Sequence, residues 1–187
     1  PSYGVSGGGA SSRVTDQMAA AQSGHSDPDD ASTYVEHYNV VVGGNADFYN
    51  MTTGVPSSAL VMEGKEYHGA GSSNFFAILK DGTAVIGKPG DYAEYKDQIT
   101  EAVGGSIYLI ENGEIVVKPS DSYQKNRHSR TCVGIREDGN VVLMVLDGRQ
   151  EPFSAGASMA EVAPIMLEAG CDPASNLIGG ATPTIVA

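Results

Sequence analysis

Three dipeptides constrain this chain more than anything else in it. Asp81-Gly82, Asn112-Gly113 and Asp138-Gly139 each stand between two β-prone runs, in the stretches Phe75 to Ile86, Ile107 to Val117 and Thr131 to Leu146. Such a dipeptide tolerates positive φ, which a tight strand reversal needs, so each stretch reads as a β-hairpin. Three hairpins in 187 residues predict a twisted, largely antiparallel or mixed sheet. The 24 glycines and 9 prolines supply turns and disfavour a helical bundle. The length suits one substantial core.

Two helices are expected beside the sheet. Tyr92, Tyr95, Ile99 and Val103 recur at helical spacing within Asp91 to Val103. Ser158 and Glu161 form a capping-box pair ahead of Val162, Ile165, Met166 and Ala169, and Gly170 ends that run. Pro164 lies inside it and predicts a kink. The fold class is therefore α+β, with two or three helices packed on the sheet. Residues 1–33 are small and polar and read as an N-terminal arm or linker, with Val14 to Ala21 able to form a short helix. The domain proper is expected over 34–187, opening on a buried strand at Val40-Val41-Val42. The arm is also a candidate for self-association with a neighbouring copy.

A formal net charge of −12 argues against nucleic acid, whose phosphates a general acidic field repels. No run of about 18 apolar residues is present, so no membrane span is expected. Cys132 and Cys171 are too few for a disulfide framework and are either one bridge or two buried thiols. His37 and His68 lack companions at zinc-ligand spacing.

Three segments carry residues suited to chemistry. Asn45-Ala46-Asp47-Phe48-Tyr49-Asn50 follows the first strand, and its amide and carboxylate either hold hydroxyls and move a proton or simply cap a turn. Arg130 opens one hairpin strand and Asp147-Gly148-Arg149 closes its partner, so Arg130 and Asp147 are expected to be neighbours. They form either an ion pair at a sheet edge or an arginine gripping an anion beside an acid. The strand Val141 to Leu146 is continuously apolar and is expected to be buried on both faces. The basic tract Lys125-Asn126-Arg127-His128-Ser129-Arg130 would give a pocket a positive wall. Finally, Gly179-Gly180 makes a turn whose amides can approach an anion.

Taken in order, Asn45 to Gly54, Ala102 to Ser106, Arg130 to Ile135 and Val145 to Gln150 resemble the phosphodiester glycosidase family over roughly Tyr38 to Ala187. The best-known member of that family removes N-acetylglucosamine from a phosphodiester on lysosomal glycoproteins. The resemblance implies hydrolysis of a sugar-1-phosphodiester, in a bacterial protein working outside the cell or in the cell envelope. Carried over by position, Asp47 and Asp147 would be the catalytic acids. Asn45, Arg130, Arg149, Asn176, Gly179, Gly180 and Thr182 would bind substrate and phosphate. No cofactor is required by the sequence, and a divalent cation is left open. The family's last motif runs Asn-Leu-Asp-Gly-Gly-Gly-Ser, and here Ile178, Ala181 and Pro183 break the pattern. Glycosidases ordinarily use a pair of carboxyl groups. Three readings follow: a non-catalytic glycan-binding or structural subunit, an enzyme that works with Asp47 and Asp147 alone, or an acid mis-inferred as isoleucine at position 178.

Overall fold

The computed structural model describes residues 43–44, 46, 48–50, 52–178 and 185–186. The arm, Val40 to Val42, Asn45, Asp47, Gly179, Gly180 and Thr182 lie outside the described residues. The described strands are β1 (Gly43–Gly44), β2 (Leu60–Met62), β3 (Lys65–His68), β4 (Phe75–Leu79), β5 (Ala84–Gly87) and β6 (Ile99–Gly104). They continue with β7 (Ile107–Glu111), β8 (Glu114–Ile115), β9 (Arg130–Arg136), β10 (Val141–Leu146), β11 (Cys171–Ile178) and β12 (Ile185–Val186). The α-helical segments are α1 (Tyr92–Tyr95), α2 (Ser122–Lys125) and α3 (Met159–Glu168). The fold is α+β, as the sequence implies.

All three expected hairpins form, as β4–β5, β7–β8 and β9–β10. Asn112 takes φ +54° and Gly82, Gly113 and Gly139 take φ of +86°, +74° and +80°, the conformations for which those dipeptides were selected. Two five-stranded antiparallel sheets result, ordered β10-β9-β11-β7-β8 and β3-β2-β6-β4-β5, while β1 pairs with β12.

The period-2 alternation of strands assigns the layers. Phe76, Ile78, Ile86 and Val103 of the second sheet meet Val133, Ile135 and Leu177 of the first in a core between the sheets. Phe75, Ala77 and Leu79 point the other way, against Tyr92 of α1. On the far side of the first sheet, Cys132, Ala174 and Leu109 pack under Met159, Val162 and Met166 of α3. The sheets thus form a sandwich, with helices on its outer faces.

α3 starts where the capping box places it, because Ser158 Oγ accepts the Glu161 amide at 3.3 Å and Glu161 Oε2 accepts the Ser158 amide at 2.9 Å. It runs through Pro164, which lies on its exposed side. The helix expected over 91–103 is not formed. Tyr92 and Tyr95 share one helical turn, whereas Ile99 and Val103 belong to β6 and enter opposite cores. The apolar spacing there serves two sheet faces instead of one helix face. β10 also differs from expectation: as an edge strand it is half-buried at every position. Its apolar run is still used on both sides, since Val142, Met144 and Leu146 pack on the α3 core and Val141 and Leu143 on the inter-sheet core. Cys132 and Cys171 are two free, buried thiols.

Candidate functional site

Arg130 organises the site. Strand alternation puts it on the same face of β9 as Cys132, toward α2 and the entry to α3. It is fully buried, at 0% exposure. Its Nε donates to the Ala157 carbonyl at 2.9 Å, and its Nη2 donates to the carbonyls of Tyr123 at 2.6 Å and Asn126 at 3.0 Å. The guanidinium also lies 4.6 Å from the centroid of the Tyr123 ring. Its remaining nitrogen, Nη1, is buried with no hydrogen-bond partner among the described residues. Of the two readings of Arg130 and Asp147, the ion pair does not form. Register pairs Leu146, not Asp147, with Arg130, and the guanidinium turns instead to main-chain carbonyls. Asp147 is exposed, and its own carbonyl is fixed by Ser154 Oγ at 2.6 Å.

Tyr123 connects the rest. It lies in α2, a single turn whose N-cap Asp121 accepts the Gln124 amide at 2.9 Å. Its ring stacks on His128 at 5.9 Å and meets Phe48 edge-on at 6.1 Å. Its hydroxyl receives the Asn176 Nδ2 donor at 3.4 Å. Asn176 is fully buried in β11, and the same Nδ2 donates to Ser106 Oγ at 2.8 Å. Ser106 in turn donates its amide to the Asn176 carbonyl at 2.8 Å. The Gly104-Gly105-Ser106 segment carries the chain from one sheet to the other, and a Cβ at Gly105 would stand 3.1 Å from Ser175 Oγ. Small residues there let Ser106 reach Asn176.

The loop after β10 closes the arrangement. Gly148 and Gly156 press against the backbone of His128 and Ser129, leaving no room for a side chain. Arg149 holds φ +58°, a conformation few non-glycine residues adopt, and it donates Nε–H to His128 Nδ1 at 2.9 Å. That bond occupies the Nδ1 lone pair, so the proton of the neutral ring sits on Nε2. Burial, then Arg149 and Arg130, hold the His128 pKa below its ordinary value. His128 is therefore a neutral donor between two cations.

Of the residues expected to form a site, Arg130, Arg149 and Asn176 are brought together through Tyr123 and His128. Asp147 contributes its backbone to the same loop. Asn45, Asp47, Gly179, Gly180 and Thr182 fall outside the described residues. Beside Asn45 and Asp47 in the chain, Ala46 is buried in the inter-sheet core, and the exposed Phe48 meets Tyr123 edge-on. Ile178 ends β11, paired with Thr131 across a register shift. Tyr123 is the residue at the centre of these contacts that the sequence does not single out. Its signal was present as an aromatic residue just ahead of the only basic tract of the chain. Among the described residues, no group of three or more His, Cys, Asp and Glu side chains clusters as a metal site, and no helix is long and apolar enough to cross a membrane.

Comparison with known proteins places the fold. The catalytic domain of zebrafish N-acetylglucosamine-1-phosphodiester alpha-N-acetylglucosaminidase, auto-inhibited by its pro-peptide, superposes with a TM-score of 0.70 at 23% identity. That match covers 82% of this chain and 55% of the zebrafish one. A hypothetical protein from Synechocystis matches with a TM-score of 0.57 at 16% identity, over 82% of this chain and 48% of its own. The chain thus spans about half the length of these structural relatives, and at such identities they establish the fold. No curated protein sequence matches it significantly. The family model described as phosphodiester glycosidase matches residues 38–187, and the chain belongs to that family.

Proposed function

We propose that this domain hydrolyses a sugar-1-phosphodiester at the anomeric bond, with Arg130 and Arg149 receiving the phosphate. The observation that carries the reading is the state of Arg130. Burying a guanidinium costs on the order of several kcal/mol unless a partner offsets it. Here the described partners are three neutral carbonyls and a ring face, and one nitrogen is left over. A positive charge held this way is prepared for an anion that arrives from outside.

The chemistry makes use of that charge. Hydrolysis adds a water oxygen to the anomeric carbon and breaks the bond to the phosphate oxygen, which leaves with the electron pair. The phosphate passes from a singly charged diester to a monoester of nearly double charge. Fixed cations beside it stabilise the later state more than the earlier one, which is what accelerates a reaction. A phosphate is also a far better leaving group than a sugar alcohol, because its second pKa is only about 6. It leaves without a general acid, so an isoleucine at position 178 need not abolish turnover. In this reading Asp47 and Asp147 serve the attacking water and the developing positive charge on the sugar. Asn176, Asn45 and the 179–182 turn hold hydroxyls and phosphate, and the neutral His128 lends Nε2–H. The reading carries with it a site of action at the cell surface or outside the cell.

The test compares the methyl phosphodiester of N-acetylglucosamine 1-phosphate with methyl N-acetylglucosaminide, which lacks the phosphate. Free sugar is expected from the first and not the second, and Arg149→Gln should lower kcat by about 100-fold, the usual loss for one charge-stabilising donor. Equal hydrolysis of both substrates, or an Arg149→Gln variant of full activity, would refute the proposal. Ile178 favours one alternative, a glycan-binding subunit without turnover; binding of the diester with no sugar released would establish it.

A further inference from the structure

Of the edges of the two large sheets, all but one are blunted against further pairing. β8 is two residues long, β3 carries Lys65, Glu66 and His68, and β5 is four residues long and runs into Lys88-Pro89. Short strands, charges and prolines are how sheet edges avoid unwanted partners. β10 has none of these devices. Val141-Val142-Leu143-Met144-Val145-Leu146 holds no charge, glycine or proline, and it pairs with β9 rung by rung without a bulge. Its other side has no partner strand among the described residues. A run of this composition, left open, is a template for another strand.

The register shows which groups are on offer. The Arg136 amide donates to the Asn140 carbonyl at 2.9 Å, which sets the phase of the β9–β10 ladder. Bonded and non-bonded pairs alternate in an antiparallel ladder. Val142, Met144 and Leu146 therefore turn their backbone groups to β9, while Val141, Leu143 and Val145 present theirs outward. The outward residues are evenly spaced about Leu143. From this we infer that β10 is the contact between two copies of the chain, paired antiparallel about a twofold axis at Leu143. In that register Val141 lies opposite the partner's Val145 and Leu143 opposite the partner's Leu143, each pair exchanging both backbone bonds.

The edge fits a second copy because it is self-complementary. Only neutral, apolar side chains meet across the axis, so the formal charge of −12 sets no like pair face to face along the strand. Charges begin only past its ends, with Asp138 before it and Asp147 and Arg149 after it. Val40 to Val42, the other apolar run of this kind, lead into β1, whose partner is β12. One strand edge is small beside the about 1,200–2,000 Å² of stable interfaces, so the dimer forms and dissociates with concentration. The inference is independent of the hydrolytic reading.

Sedimentation equilibrium of the 187-residue chain should show a reversible monomer–dimer equilibrium. Val145 belongs to none of the three cores, so Val145→Lys should leave the circular-dichroism melt in place. It should raise the dimer dissociation constant about tenfold, because a charge then opposes an apolar residue on both sides of the axis. Adding Val141→Glu should restore association, since each new lysine faces the partner's position 141, whereas within one strand the two positions are about 13 Å apart. Leu143→Cys should crosslink on mild oxidation, as Cα atoms of a bonded pair lie about 5.5 Å apart, and Val145→Cys should not. The native Cys132 and Cys171 are buried and do not compete. A chain that is monomeric at every concentration overturns the inference, whether its edge is bare or covered by another segment of itself. A dimer that Val145→Lys leaves intact, or crosslinking that does not separate Leu143→Cys from Val145→Cys, puts the contact elsewhere and overturns it too. Should the lysine variant fail to fold, the two cysteine variants decide alone.

Discussion

Replacing Gly148 by alanine would test whether the loop after β10 is held by close backbone contact. A Cβ there would stand 2.3 Å from the Ser129 nitrogen, 2.6 Å from the His128 carbonyl carbon and 2.9 Å from Gly156 Cα. Ordinary carbon contacts begin near about 3.5 Å, so the two backbones must separate by roughly 1 Å. No side chain can swing aside to relieve this, because every offended atom is main chain. Overpacking of this kind costs about 1–3 kcal/mol, and the absence of a flexible neighbour puts Gly148→Ala at the upper end. For a domain of this size ~1 kcal/mol shifts the melting temperature by roughly 2–4 °C, so a fall of about 6–12 °C is expected. The matched control is Gly139→Ala, at φ +80° with nothing within 4 Å of the added carbon. It carries only the backbone penalty of about 1–2 kcal/mol for a left-handed residue. Circular-dichroism melts of the three proteins give the comparison. A Gly148→Ala protein as stable as Gly139→Ala would refute the close-contact account of this loop.

Three further outcomes are expected. In a proton NMR titration His128 should titrate below about 6.5, the ordinary value for histidine, and Arg149→Gln should move it upward. Since folding favours the neutral ring, its contribution is complete above the unfolded-state pKa and is lost as pH falls toward the folded one; an unshifted His128 would contradict the Arg149 contact. Thiol titration at pH 8 should find Cys132 and Cys171 unreactive in the native protein, with burial pushing Cys132 up to about 12, and both reactive in denaturant without reductant. A bridge would leave them silent in denaturant. Glu161 is held at about 2 by Arg127 first and then by the Ser158 amide and hydroxyl, so its contribution is present above its ordinary 4.5 and disappears as pH falls through about 2. Glu161→Gln should flatten that part of the acid-stability curve; an unchanged curve would show the capping box and ion pair to be idle.

What could be read from the sequence was what depends on near neighbours. The hairpins announced themselves because Asp-Gly and Asn-Gly fix a turn locally, and α3 because Ser158 and Glu161 cap it three residues apart. The stretch 91–103 misled because Tyr92, Tyr95, Ile99 and Val103 keep helical spacing while Leu79 and Phe76 on β4 pair with the last two in a sheet. The surroundings of Arg130 were out of reach for a different reason. Its partners are carbonyls of residues 123, 126 and 157, and a carbonyl carries no sequence signature. Tyr123 escaped notice likewise, since its importance lies in touching Phe48, His128, Arg130 and Asn176, which only the fold assembles.

The enclosure of Arg130 has a consequence for how the protein responds to ionic strength. The chain bears a formal net charge of −12, so an approaching diester anion first meets a repulsive far field. Dissolved salt screens interactions beyond about 8–10 Å under ordinary conditions, and it therefore weakens that repulsion. Buried charges are screened much less by dissolved salt than exposed ones, so the short-range attraction of the enclosed Arg130 is left largely standing. Added salt should consequently speed capture of the anionic substrate, the reverse of what is seen when an exposed basic surface steers an anion inward.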